Sequence, residues 1–270
     1  MAYAKINTIT NANMAKVNNA AKAALGKIGS IDAPSSFTNS YSLEFDGTND
    51  YVLIDSGFKI GATTSSSSIW FKYNAHDDGA TPGNSMLVSP VSPTNDFYFW
   101  VSGNLMRIYH SLYGTNSSVL SWSFEEGVRN DWHHLVVTFN QSAGEMKFYG
   151  NGELKDTNST SVSVHAGYAD VHLARFSGNT WGILGGNLDE MGNWNSVLSA
   201  AEITAIYNSG TPTDLRVDAG DYASSGNLDG YWRFGDGDSY PTIQDLSGEG
   251  NNGTMTNMAS GDIVTEVPSA

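Results

Sequence analysis

The sequence predicts an all-β protein, a two-sheet antiparallel jelly-roll sandwich preceded by a short helical or extended N-terminal arm. Three observations carry this. From residue 41 onward, short aromatic or alternating runs recur between clusters of Gly, Asn, Asp and Ser, the pattern of strands and tight turns. The composition, with 29 Gly, 13 Tyr, 11 Phe and 7 Trp, suits many short strands better than long helices. Within the body, only one segment carries both the start and the stop signals of a helix.

The strand candidates in order are residues 41–45, 51–54, 68–73, 86–89, 96–101, 105–110, 119–124, 132–139, 146–150 and 171–176. Alternation within 132–139 places His133, Leu135, Val137 and Phe139 on one face and Trp132, His134, Val136 and Thr138 on the other. Asn151-Gly152 predicts a type I′ hairpin turn, because both residues accept a positive φ. The single body helix begins at Ser199, where Ser199-Ala200-Ala201-Glu202 reads as a capping box. Ile203, Ile206 and Tyr207 follow at helical spacing, and Gly210 with Pro212 ends it.

The first 31 residues differ in charge and in pattern. They hold Lys5, Lys16, Lys22 and Lys27 and no acid, although the whole chain carries a formal charge of −15. Tyr3-Ala4-Lys5-Ile6-Asn7, Met14-Ala15-Lys16-Val17-Asn18 and Leu25-Gly26-Lys27-Ile28-Gly29 repeat every eleven residues, which returns the apolar pair of each copy to nearly one helical face. The stripe reads as a helix packed on its own body, as a docking arm for other subunits, or as a basic tail for nucleic acid. Docking fits best, because a narrow stripe rich in Asn and Thr makes a poor isolated helix. Ile6, Val17 and Ile28 are then the anchors, flanked by Lys5, Lys16 and Lys27. The repeat resembles Lys-Val-Asn-type repeats at the starts of some tailed-phage structural proteins, and that resemblance implies virion or assembly partners. Residues 1–34 are accordingly the arm and 35–270 the sandwich, an acidic body ill-suited to phosphate backbones. Neither a secretory h-region nor an apolar run long enough for a membrane span is present, so the expected location is a virion surface or otherwise extracellular.

The body resembles the laminin-G-like, concanavalin A-like superfamily. The residues that carry the likeness are Tyr41 to Val52, Trp132-His133-His134-Leu135-Val136-Val137-Thr138, Tyr149-Gly150-Asn151-Gly152, and Leu188-Asp189-Glu190-Met191 leading into Leu198 to Ile203. Two further segments, Leu228 to Phe234 and Asp245 to Thr254, resemble what usually opens such a domain but here close the chain. Residues 228–270 are too few to bury a core of their own, so they are expected to complete the sheets of the same sandwich.

Chemistry is sparse. Without cysteine there is no disulfide, thiolate metal site or thiol nucleophile. Related laminarinase-type glycosidases carry Glu-x-Asp-x-(x)-Glu, and Glu44-Phe45-Asp46 approaches it, but the third acid falls on Thr48 or Asn49. Asp189-Glu190 is no simple substitute, because neighbouring strand residues face opposite ways. A glycan-active hydrolase or lyase is therefore the least favoured reading. His133-His134, adjacent on a strand, are expected to diverge rather than share a metal.

Related family members bind calcium at the sandwich rim, which makes a structural calcium an expectation here. The matching positions are Asp46, Asn49, Asp50, Asp189, Asp245 and Asn252, although the same residue types also build Asx-turns without an ion. For glycan contact the loop residues Trp181, Asn179, Tyr113 and Asn116 supply an aromatic face and amide hydrogen bonds. The functional expectation is a non-catalytic virion structural or decoration protein that touches host glycans. The alternative is a free or cell-surface carbohydrate-binding or adhesion module.

Overall fold

The computed structural model describes residues 37–55, 64–74, 84–90, 95–102, 105–112, 115–123, 130–159, 170–176 and 182–270. The chain divides between Thr38 and Asn39, and the elements below belong to the unit Asn39–Ala270. Two eight-stranded antiparallel sheets form a sandwich. The first sheet contains β1 (Ser42–Asp46), β3 (Thr64–Tyr73), β8 (His133–Asn140), β9 (Glu145–Gly150), β10 (Glu153–Asn158), β12 (Gly185–Trp194), β13 (Leu228–Trp232) and β16 (Ile263–Val264). Its order is β10-β9-β8-β3-β12-β1-β16, and β13 also pairs with β12. The second sheet contains β2 (Tyr51–Ile54), β4 (Asn84–Pro90), β5 (Asn95–Ser102), β6 (Leu105–Leu112), β7 (Thr115–Ser123), β11 (Val171–Leu173), β14 (Thr242–Ile243) and β15 (Gly253–Thr256). Its order is β14-β15-β2-β11-β4-β5-β6-β7.

The main core lies between the sheets. Leu43, Phe71, Leu135, Phe148 and Leu188 of the first sheet pack with Val52, Val88, Phe99, Val171 and Met255 of the second. β8 divides as its alternation predicts: Leu135, Val137 and Phe139 face this core, while Val136 belongs to a second cluster on the far side of the first sheet. That cluster comprises Trp194 of β12 and Tyr231 of β13 with Ile203, Ile206, Leu215 and Tyr222, brought by α1 (Ala200–Tyr207) and the segment after it. The predicted capping box is present in full: Ser199 Oγ accepts from Glu202 N and the Glu202 carboxylate accepts from Ser199 N. Asn151 and Gly152 at φ 52° and 78° close the β9–β10 hairpin.

Residues 228–270 feed both sheets. β13 pairs with β12, β15 with β2 and β16 with β1. Trp232, Phe234, Ile243 and Met255 from this segment sit in the main core. The strand that receives β13 is the one the alternation does not reveal. All ten positions of β12 are buried because the sheet is covered on both faces, so apolar and polar residues do not alternate along it. Gly186 of this strand has φ 143°, and a Cβ there would stand 2.1 Å from the Lys72 carbonyl oxygen, so glycine is required for β12 to approach β3.

Candidate functional site

The two sheets are not equivalent toward their surroundings. The far face of the first is packed under α1 and its following segment, and His134, Val136, Asn187 and Asp189 on it are buried. The outward face of the second is partly exposed, although Ser89 on it, the Cα partner of His172, is buried. Its described side chains Thr254, Leu53, Tyr51, His172, Trp100, Arg107 and Ser121 are half-buried or exposed. Their placement follows from register. Val52 and Leu173 are Cα partners facing the core, so the intervening positions Tyr51, Leu53 and His172 turn outward, with His172 opposite Leu53. Trp100 and Arg107 are likewise direct partners across β5 and β6, and the guanidinium lies 5.8 Å from the ring centroid.

A tighter cluster stands where β11 ends. The rings of Tyr51 and His172 meet edge to face at 4.9 Å, and the Arg175 guanidinium lies over Tyr51 at 4.8 Å. Ala174, at φ 68°, takes the chain out of the strand immediately before Arg175. His172 Nδ1 and Arg175 Nε are buried atoms with no hydrogen-bond partner among the described residues. Burial, assisted by the neighbouring guanidinium, lowers the His172 pKa to about 4, so the ring is neutral at ordinary pH.

The six positions expected for calcium fall into three separate groups. In the β1–β2 turn, Asp46 Oδ1 accepts from Thr48 N at 2.7 Å and Asn49 N at 3.3 Å, and Asp50 Oδ2 accepts from Asp46 N at 3.1 Å. Burial raises Asp50 to about 6, and Asp46 and Asp262 nearby add to the rise. Asp245 accepts from the backbone N–H of Tyr231, Ser247 and Asn251, and Asn252 Oδ1 accepts from Asp245 N. Asp189 lies on β12 four residues beyond Gly185, the partner of Asp46, so it is remote from the first turn. Among the described residues, no three His, Asp or Glu side chains are grouped to hold a metal ion. The six positions do not share one calcium shell, and Asp46, Asp50, Asp245 and Asn252 each accept a backbone N–H group. In calcium-containing buffer, excess chelator is accordingly expected to shift the melting temperature by no more than about 1 °C, whereas a ligand present at a hundred times its Kd adds about 2.7 kcal/mol to stability. Differential scanning fluorimetry with and without chelator decides it.

The carboxylate pairs differ: Glu44 is exposed, whereas Asp189 and Glu190 are buried and hydrogen-bonded. Thr48 and Asn49 follow Glu44 and Asp46 as the sequence requires, and each donates its backbone N–H to Asp46. Asp189 and Glu190 sit at a β-bulge, with Glu190 at φ 44°. The simple expectation that they face opposite surfaces fails there, and both are buried. Glu190 accepts from Tyr231 Oη and from Arg233 Nε, the latter at 2.8 Å, while Asp189 accepts from Asn39 Nδ2 at 2.7 Å and from Glu190 N at 2.8 Å. Burial raises Glu190 to about 7 against the opposing pull of Arg233 and Tyr231, and raises Asp189 well above the usual range. His133 and His134 diverge as expected. His133 lies near Phe71 and Trp122, and His134 near Trp70 and Tyr207. Burial lowers His134 to about 3.

Tyr113, Asn179, Trp181, the side chain of Asn116, and the arm positions Lys5, Ile6, Lys16, Val17, Lys27 and Ile28 lie outside the described residues. The cluster that sequence reasoning missed is Tyr51, His172 and Arg175. Nothing local marks it, because the pairing of β2 with β11 joins residues more than a hundred positions apart.

The chain belongs to the concanavalin A-like lectin/glucanases superfamily, whose laminin-G-type family pattern it matches over residues 46–204, more than half of its length. Among solved structures, one of a candidate carbohydrate-binding protein from Bacteroides ovatus is 16% identical with a TM-score of 0.60, and the match covers 87% of this chain and 62% of that one. A pentraxin from Limulus polyphemus is 12% identical, with a TM-score of 0.47 over 63% of this chain and 82% of its own. The binding domain of botulinum neurotoxin DC, solved in complex with SialylT, is 15% identical, with a TM-score of 0.46 over 56% of this chain and 36% of its own. At such identities the likeness concerns the fold alone, and the chain spans less than two thirds of the Bacteroides protein's length. No curated protein matches the chain.

Proposed function

We propose that the chain is a non-catalytic carbohydrate-binding protein whose glycan platform is the outward face of the second sheet. The observation that carries the reading is the inequality of the two sheets. The far face of the first is largely covered by α1 and its following segment, and the second presents aromatic, amphipathic and hydroxyl side chains on a partly exposed face. Flat aromatic rings beside hydrogen-bonding groups are what a sugar's apolar face and hydroxyls require. A catalytic reading has less support, since Asp189 and Glu190 are engaged in the interior and Glu44-Phe45-Asp46 lacks a third acid.

The setting we propose is a virion surface, with residues 1–34 docking the body to a larger assembly through Ile6, Val17 and Ile28. The eleven-residue repeat supports this; a free or cell-surface module would use the same face without the arm. No helix among the described residues is long and apolar enough to cross a membrane. A glycan array carrying neutral and acidic oligosaccharides tests the platform. The full chain is expected to bind, and Trp100→Ala to lose at least tenfold in affinity, about 1.4 kcal/mol. Binding by Trp100→Ala and Tyr51→Ala as tight as by the parent chain would overturn the placement, and absence of binding to any glycan would overturn the function.

A further inference from the structure

We infer that Arg175, with Tyr51 and His172, forms a subsite for the carboxylate of an acidic saccharide, an assignment that rests on the glycan platform proposed above. The chain holds 28 Asp and Glu against 13 Lys and Arg, so a cation here rarely lacks a carboxylate neighbour. Lys72, Lys147, Lys155, Arg216 and Arg233 are each ion-paired, with Glu266, Glu145, Glu153, Asp214 and Glu190 respectively. Arg175 has no hydrogen bond or ion pair to a described residue. It is held instead over the Tyr51 ring, half-buried, with its Nε shut away from water.

A desolvated donor without an acceptor is costly, and a guanidinium matches a carboxylate with two parallel N–H···O bonds. A ligand carboxylate would supply the guanidinium with the acceptor it does not find among the described residues. Tyr51 adds an aromatic wall that restricts the guanidinium, so less side-chain freedom is lost when the ligand arrives. His172 packs edge-on against the same ring and contributes a second nitrogen without a partner. A neutral sugar satisfies the platform but not Arg175, so selection falls on saccharides bearing an acid group.

The test compares each acid with its neutral counterpart on the full chain by isothermal titration. One arm uses trigalacturonate against its methyl ester, and a second uses sialyllactose against lactose. The acid form is expected to bind at least tenfold tighter in one arm, which also identifies the acidic sugar as a uronate or a sialate. Arg175→Gln should bring the ratio of acid to neutral affinity to about one, and Arg175→Lys should keep an intermediate ratio, because a point charge replaces the fork. Thermal melts confirm that both variants are folded. If acid and neutral forms bind the parent chain equally, or if Arg175→Gln keeps the preference, the subsite is wrong and the glycan platform stands. If no saccharide of either kind binds, the platform itself is wrong and the subsite falls with it.

Discussion

A chain ending at Asn227 is expected to be insoluble or unfolded, and to show no cooperative thermal transition. The segment removed holds β13, β15 and β16, which pair with β12, β2 and β1 in two different sheets. With them go Tyr231, Trp232, Phe234 and Ile243, all fully buried. Removing one large buried aromatic side chain costs about 3–5 kcal/mol, and a whole domain is stable by only about 5–15 kcal/mol. Two such losses already consume most of that margin. The truncation also strips Glu190 of Tyr231 Oη and Arg233 Nε, leaving a buried carboxyl without its partners. The strands left behind, β2 and β1, would offer unpaired edges to other copies. Soluble expression followed by circular dichroism on heating is the measurement, and a soluble product with a sharp melt would show that 228–270 is an appendage.

The second large effect is one of pH. A carboxyl whose folded pKa is raised contributes stability that is complete below its unfolded pKa and is lost as pH rises through the folded one. Glu190 is raised from 4.5 to about 7, so its window runs between those values. At 1.36 kcal/mol per unit the loss is on the order of 3 kcal/mol. Asp189 and Asp50 are raised as well and act in the same direction. Asp214 and Glu202 are lowered by their hydrogen bonds, and their contribution disappears only on the acid side, below the ordinary carboxylate range. Stability is therefore expected to peak near pH 5 and to fall toward pH 8. Urea titrations at pH 5 and pH 8 should show this fall in the parent chain and a markedly smaller one in Glu190→Gln. Parallel pH profiles for the two would remove Glu190 as the source.

Local signals in the sequence were legible and non-local ones were not. The faces of β8, the Asn151-Gly152 turn and the Ser199–Glu202 capping box depend on neighbours within a few residues, and each stands as read. β12 is absent from the strand candidates, although Asp189-Glu190 is read as strand, because burial on both sides erases the period of two. Its bulge at Asp189–Glu190 overturned an alternation argument that holds elsewhere, since an extra residue re-aims the side chains that follow. The turn residues were ambiguous for a chemical reason. Asp46, Asp50 and Asp245 present the same oxygens to a cation as to a backbone N–H, and only the fold shows which donors arrive first. Arg175 was invisible as a site because its distinction, a buried Nε without a hydrogen-bond partner among the described residues, is a property of the fold.

The pairing of β1 with β16 has a mechanical consequence. Ser42 and Leu43 register against Val264 and Ile263, so the chain enters and leaves the body side by side at one edge of the first sheet. Tension applied between the two flanking segments opens this short ladder, together with the Ser42 Oγ hydrogen bond to the Glu266 carbonyl, one pair at a time. Such peeling starts at the edge of the first sheet and reaches Leu43, whose side chain sits in the main core. The strands of the second sheet take no part in that ladder.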